Sequence, residues 1–284
     1  MKGYSDDIMG NKTTNSKDLR PIEAHTKLMT RWKNGIRLSK VPGIKFIFKR
    51  IFGPKTSTGS PIPINISLGT YENQVLPLAI TEHFIKKASY IVLMDCPCRT
   101  HSKCENHDIS LGCTWLGRDA ARLDLEKYPG AHIGTVEEAL ERERLAYENG
   151  LVPHLGRLKA DSRRYEVLPD TGHFMSLCHC CPCCCVLFTM KYSASVIKKI
   201  LKRMEGVSVE VNRDLCEGCG ECFTVCIYDS MKMVYDKALI DLETCLGCGR
   251  CERKCPNHAI TITIDDVSRV EELFARIESY VDVT

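Results

Sequence analysis

No run in this sequence approaches 18 consecutive apolar residues, the length a helix needs to cross a bilayer, so no transmembrane helix is expected. The stretch from Met1 to Arg20 is polar and offers no apolar core for a secretory signal. Together these features point to the cytoplasm. There is no glycine-rich phosphate loop, which leaves nucleotide or flavin binding without sequence support. The basic residues neither interleave with aromatics nor sit in a helix-turn-helix pattern, so nucleic acid is not an expected partner. Cysteine, by contrast, is abundant: 18 of 284 residues.

A chain of this length can bury a real core and needs no dense disulfide framework. In a reducing compartment its thiols are read first as metal ligands. The hydrophobic fraction of 44% and charged fraction of 26% are ordinary for a globular protein, and the length allows two domains. The net charge of +3 is unevenly spread, because residues 1–60 carry 13 Lys/Arg against 4 Asp/Glu and the remainder is acidic. Residues 1–70 read as a basic, partly flexible arm, solvated in the simplest case. Within it, Ile44, Ile47, Phe48 and Ile51 share one helical face. That face could lie on a membrane interface, but packing on the protein's own surface or a partner is favoured.

The strongest motif is Cys216-x2-Cys219-x2-Cys222-x3-Cys226, repeated 29 residues later as Cys245-x2-Cys248-x2-Cys251-x3-Cys255-Pro256. Three thiolates two residues apart on a tight loop can occupy three corners of one cube-shaped cluster. Gly218, Gly220, Gly247 and Gly249 let the backbone pass close to it. Val207–Val211 and Ile260–Ile264 alternate as short strands, and Val270, Leu273, Phe274 and Ile277 fall at helical spacing in a closing helix.

Over about residues 207–265 these features resemble the bacterial two-[4Fe–4S] ferredoxin family. The resemblance implies a β-α-β-β-α-β wrapper in which the fourth cysteine of each run reaches the other cluster. It places one cluster on Cys216, Cys219, Cys222 and Cys255, and the other on Cys245, Cys248, Cys251 and Cys226. Ile227 stands where that family usually has proline, whereas Pro256 keeps it. Such clusters degrade in oxygen, which points to an anaerobic host. They also imply a redox partner protein: a ferredoxin, a flavodoxin or a reductase subunit.

Ten cysteines lie upstream, in two groups: Cys96, Cys98, Cys104 and Cys113, then Cys178, Cys180, Cys181, Cys183, Cys184 and Cys185. Both follow strand-like segments, Tyr90–Met94 and Phe174–Leu177. Helices are expected at Pro77–Lys87, from the capping box Thr135-Val136-Glu137-Glu138 to a stop at Gly150, and over Val196–Met204. The alternation of strands and helices suggests an α/β (or α+β) cysteine-rich domain over residues 71–206, ahead of an α+β ferredoxin-like domain over 207–284. An open α/β sheet would gather both cysteine groups beyond the carboxyl ends of its strands.

One closed zinc site would use four of the ten thiols, two sites would use eight, and a further iron–sulfur cluster would use four or more. Adjacent pairs such as Cys180-Cys181 and Cys184-Cys185 suit several irons or two facing centres. Vicinal cysteines also mark the CCG domains of heterodisulfide reductases, although Pro182 and Val186 stand here where that family has glycine. From Val75 to Cys185, the motifs Asp95-Cys96-Pro97-Cys98-Arg99, Leu111-Gly112-Cys113-Thr114-Trp115-Leu116-Gly117 and Glu137-Glu138-Ala139-Leu140 resemble uncharacterised ferredoxin-tailed iron–sulfur proteins of anaerobes. That resemblance implies iron–sulfur binding and names no reaction.

His179 is a candidate ligand or proton donor. Arg99 is a candidate counter-charge to a cluster or substrate carboxylate, with a structural salt bridge as the alternative. His101, His107 and His173 read mainly as hydrogen-bonded loop histidines. The expected function is an iron–sulfur oxidoreductase, in which the ferredoxin relays low-potential electrons to an upstream cysteine-bound centre. The alternatives are a non-catalytic electron-transfer subunit and a ferredoxin fused to a zinc-stapled domain.

Overall fold

In a computed structural model the described residues are 30–31, 33–41, 43–44, 56–66, 76–193 and 198–284. Most of the basic arm, including the segment 45–52, lies outside them. Among the described residues no helix is long and apolar enough to cross a membrane.

Six strands form one sheet: β1 (Thr58–Pro61), β2 (Ile91–Leu93), β3 (Thr114–Leu116), β4 (His132–Ile133), β5 (Val152–Arg157) and β6 (Met175–Cys180). Their order is β1-β5-β6-β3-β2-β4, and every pairing is antiparallel. Helices α1 (Leu76–Lys87), α2 (Pro97–Ser102), α3 (Val136–Glu148) and α4 (Lys159–Arg164) lie between the strands. The region is therefore α+β and lacks the parallel α/β arrangement that would gather ligands beyond the strand ends. The links from β2 to β3 and from β5 to β6 carry the short helices α2 and α4, and each returns the chain antiparallel beside the strand it left.

The local signals on α3 appear in the structure. Thr135 Oγ1 accepts from the Glu138 amide, the Glu138 carboxylate accepts from the Thr135 amide, and Gly150 follows at φ 67°. The helix expected over Val196–Met204 begins outside the described residues. Its described part is helical at Lys198 and then gives way to a turn and a bridge between Gly59 and Leu201, with Ile200, Leu201 and Met204 buried.

Downstream, β7 (Val207–Val211) pairs with β10 (Ile260–Ile264), and β8 (Met231–Val234) pairs with β9 (Lys237–Ile240), both antiparallel. Each half carries one short helix, α5 (Glu221–Val225) or α6 (Arg250–Lys254), and α7 (Arg269–Glu278) follows. Helix α7 packs against α1. Phe274 meets Phe84 edge-on at 5.5 Å and stacks on His83 at 3.8 Å, while Glu278 accepts from Lys87 at 2.6 Å and lies 3.1 Å from His83. One apolar cluster consequently runs through both halves of the chain, joining Ile80, Phe84, Leu155 and Met175 to Val209, Ile260, Leu273 and Ile277.

Candidate functional site

Strand register brings the two upstream cysteine groups together. In the pairing of β3 with β6, Thr114 faces Leu177. One step further, the sulfurs of Cys113 and Cys178 lie 3.4 Å apart. On the other side of β6, strand β5 sets His154 opposite Cys178 and Val152 opposite Cys180. Successive side chains of a strand point to opposite faces, so Cys178 and Cys180 share one face and His179 takes the other.

Beyond β6 the chain turns at Pro182, and neighbouring cysteines diverge into two groups. Cys96, Cys98, Cys113, Cys178, Cys180 and Cys185 line a cavity of about 120 Å³, with the Cys180 and Cys185 sulfurs 3.2 Å apart. Cys104, Cys181, Cys183 and Cys184 form the second group, with all four sulfurs within 4.8 Å of one another. Cys181 also borders the cavity. In each adjacent pair, 180/181 and 184/185, one thiol serves each group.

Four of the cavity thiols are pushed up by their neighbours. Hydrogen bonding to Cys98 pushes Cys96 up, Cys185 does the same to Cys98, Cys180 to Cys185, and Cys113 to Cys178, with burial adding to each. Cys113, which accepts from Cys178, is lowered. So many soft donors around one space suit an iron–sulfur or zinc centre, whose positive charge would favour the thiolates.

Arg99 is fully buried among them. It donates to the backbone carbonyls of His179, at 3.0 Å, and Leu111, its Nε is without a partner, and it makes no carboxylate pair among the described residues. Burial disfavours its charge, but the negative charge that Cys96, Cys181, Cys113 and Cys180 can carry raises its pKa overall. His179 is equally buried. Its Nδ1 faces the Gly112 carbonyl at 2.6 Å and its Nε2 faces Glu143 Oε1 at 2.6 Å. Both partners accept, so each ring nitrogen carries a proton and neither is free to bind metal. Burial pulls this histidine's pKa down, but Glu143 and Gly112 raise it overall. The cavity lining does not include His101, His107 or His173, and His173 instead meets Thr171 at 3.1 Å and Asp282 at 3.5 Å.

Other polar groups reach the cavity without a warning in the sequence. His154, Asp161, Arg164 and Tyr165 line it, and burial pushes the Asp161 carboxyl up to about 6. They come from β5 and the α4 turn, where no spacing motif marks them.

The downstream cysteines enclose two smaller cavities of about 20 Å³ each. Cys216, Cys219, Cys222 and Cys255 line one, and Cys226, Cys245, Cys248 and Cys251 line the other. Backbone amides donate to the sulfurs of Cys216 at 3.3 Å, Cys226 at 3.4 Å and Cys255 at 3.3 Å. The four loop glycines hold φ between 67° and 89°. Gly249 has a second constraint, since a Cβ there would come within 3.1 Å of the Ile64 backbone. Residues 208–231 and 238–261 each match a family described as a 4Fe–4S binding domain. This region is a two-cluster ferredoxin domain. Comparison of the chain with the curated proteins returns no match.

The ferredoxin domain is seated on the upstream region through its second cysteine loop. Ile64 donates its amide to the Cys248 carbonyl at 3.3 Å, and Asn65 donates to Gly249 at 3.1 Å. Ile227, the residue in the family's proline position, is fully buried in a cluster with Ile64, Val152 and Leu201. Tyr228 Oη lies 2.9 Å from His154 Nε2. Arg250, between Cys248 and Cys251, is 5% exposed and donates to the Cys180 carbonyl. Its Nε and Nη1 lack partners among the described residues, and the negative charge that Cys248, Cys180 and Cys185 can carry raises its pKa against burial.

Proposed function

We propose that this chain is an iron–sulfur oxidoreductase: its ferredoxin domain takes low-potential electrons from an external redox protein and relays them to an iron–sulfur centre in the six-thiol cavity. The observation that carries this reading is Arg250. One buried guanidinium, with donors left over, lies between Cys248 of the ferredoxin and Cys180 and Cys185 of the cavity. A buried cation with no carboxylate partner among the described residues needs anionic neighbours, and metal-bound thiolates on both sides would supply them.

Cys216, Cys219, Cys222 and Cys255 would hold one [4Fe–4S] cluster, and Cys226, Cys245, Cys248 and Cys251 the other. Cys96, Cys98, Cys113, Cys178, Cys180 and Cys185 would hold the third centre. These clusters supply one-electron chemistry at a potential set by ligand type, hydrogen bonds to sulfur and burial. The chain contributes the rest. Ile64, Val152, Leu201 and Ile227 exclude water between ferredoxin and cavity. The Tyr228–His154 hydrogen bond and the Arg250 contact hold the two regions in one relative position. Six thiols exceed the needs of one cube, and the cavity is several times larger than either ferredoxin space. Room therefore remains beside a cluster for a small substrate, with Arg164, Asp161 and Tyr165 as the polar groups that would orient it. A ferredoxin, flavodoxin or reductase subunit in a reducing cytoplasm is the donor that fits this chemistry.

The test is an anaerobic iron and acid-labile sulfide count on the full chain, followed by EPR during redox titration. The expected result is iron and sulfide well above the eight of two cubes, with a signal that changes on adding cyanide or CO. Eight irons and no sulfide beyond them would refute the proposal.

A further inference from the structure

The four thiols left outside the cavity have a geometry of their own. The Cys104 and Cys183 sulfurs lie 3.7 Å apart, the Cys183 and Cys184 sulfurs lie 3.6 Å apart, and all four fall within 4.8 Å of one another. Four thiolates at about 2.3 Å from one tetrahedral ion stand about 3.8 Å from each other, so these spacings fit a single ion. The ferredoxin domain supplies an internal standard. Among the described residues its eight thiols form no group of three within 4.8 Å, and neither do the six cavity thiols. Sulfurs that surround a cube must stand further apart than sulfurs that share one metal.

We infer that Cys104, Cys181, Cys183 and Cys184 form a mononuclear tetrahedral site for a soft divalent ion of the zinc class, separate from the iron–sulfur ligands. The chain around them is arranged for such a closure. Cys104 follows α2, and its amide donates to the Arg99 carbonyl at 3.0 Å. The Cys184 amide donates to Cys181 Sγ at 3.3 Å, which folds the Cys181–Cys184 loop on itself. An ion at this point joins two segments that each carry cavity thiols, Cys96 and Cys98 at the start of α2 on one and Cys180 and Cys185 at and beyond the end of β6 on the other. It works as a clasp over the cavity. It also accounts for the pairs 180/181 and 184/185, in which Cys180 and Cys185 line the cavity while Cys181 and Cys184 serve the ion. No electron transfer is assigned to the ion, and the site does not depend on what fills the cavity.

The experiment compares the full-length chain with Cys183→Ser and Cys185→Ser variants, all purified anaerobically, by zinc, iron and sulfide analysis. Cells grown with added cobalt(II) provide an optical probe, because a tetrahedral cobalt thiolate has intense ligand-field bands. The unaltered chain should hold one zinc or cobalt ion per molecule. Cys183→Ser should lose most of that ion while keeping its iron and sulfide. Cys185→Ser should keep the ion. Cys183 is exposed, and Cys183→His retains a ligating atom, so this variant should keep the ion with a shifted cobalt spectrum even if the serine variant folds poorly. Loss of iron and sulfide together in Cys183→Ser would place a cluster on these thiols and overturn the inference. An unaltered chain without a sulfide-independent ion would also overturn it. If Cys185→Ser changed no iron while Cys183→Ser lost zinc, the oxidoreductase reading would fail and this site would stand.

Discussion

The two thiol-rich regions of this protein solve the same problem differently. In the ferredoxin domain each four-thiol space is about 20 Å³, draws three ligands from one loop and one from the other repeat, and has backbone amides aimed at the sulfurs. Upstream, ten thiols from two distant stretches surround a 120 Å³ cavity and a tight outer group, with buried Arg99 and the His179–Glu143 pair wedged among them. A duplicated loop carries its own geometry. The upstream region depends on a sheet to assemble its thiols and on buried charge to hold them, which makes their arrangement more sensitive to distant changes.

That contrast can be broken most directly at Glu143. Glu143→Ala would leave the buried His179 imidazolium without its carboxylate, and breaking a buried pair costs about 3–5 kcal/mol. Chemical denaturation should register this loss, and the metal content upstream should fall while eight ferredoxin irons remain. Equal loss from both regions would show that they stand or fall together.

A smaller effect is expected at Ile227, which is fully buried where the two regions meet. Ile227→Ala should cost about 2–5 kcal/mol, towards the lower end because the cluster there is small. It should retain both ferredoxin clusters while slowing any electron transfer to the upstream centre. Unchanged stability would mean that the contact between the regions contributes little.

The mildest change is expected at Arg250, the residue both regions share. Arg250→Gln removes a positive charge beside Cys248, which makes reduction of the cluster there harder. A potential lowered by on the order of 60 mV, the one-electron equivalent of a tenfold change in equilibrium, is expected in a redox titration. No shift would mean that water screens the charge.

Much of the ferredoxin domain is legible in the amino-acid sequence. Its strands β7 and β10 show local alternation, and its loop glycines and cysteine run recur 29 residues later. The ten upstream cysteines can be named from the sequence as a set but not sorted. Cys113 and Cys178 are 65 residues apart and meet only because Thr114 pairs with Leu177. His154, Asp161, Arg164 and Arg250 carry no spacing signal, because a single residue brought in by a fold has no period to detect.

Ligand spacing on a tight loop is a property of the local chain, which is why the two-cluster ferredoxin domain follows from the amino-acid order alone. The number of thiols likewise marks the upstream region as a candidate for metal binding. The antiparallel course of the sheet, the parting of adjacent cysteines into two groups and the place of Arg250 between two sets of thiols belong to the tertiary fold. Strand direction depends on which distant segments pair across the sheet, and burial of a charge depends on which distant surfaces close over it. Neither is written in the neighbourhood of the residues concerned.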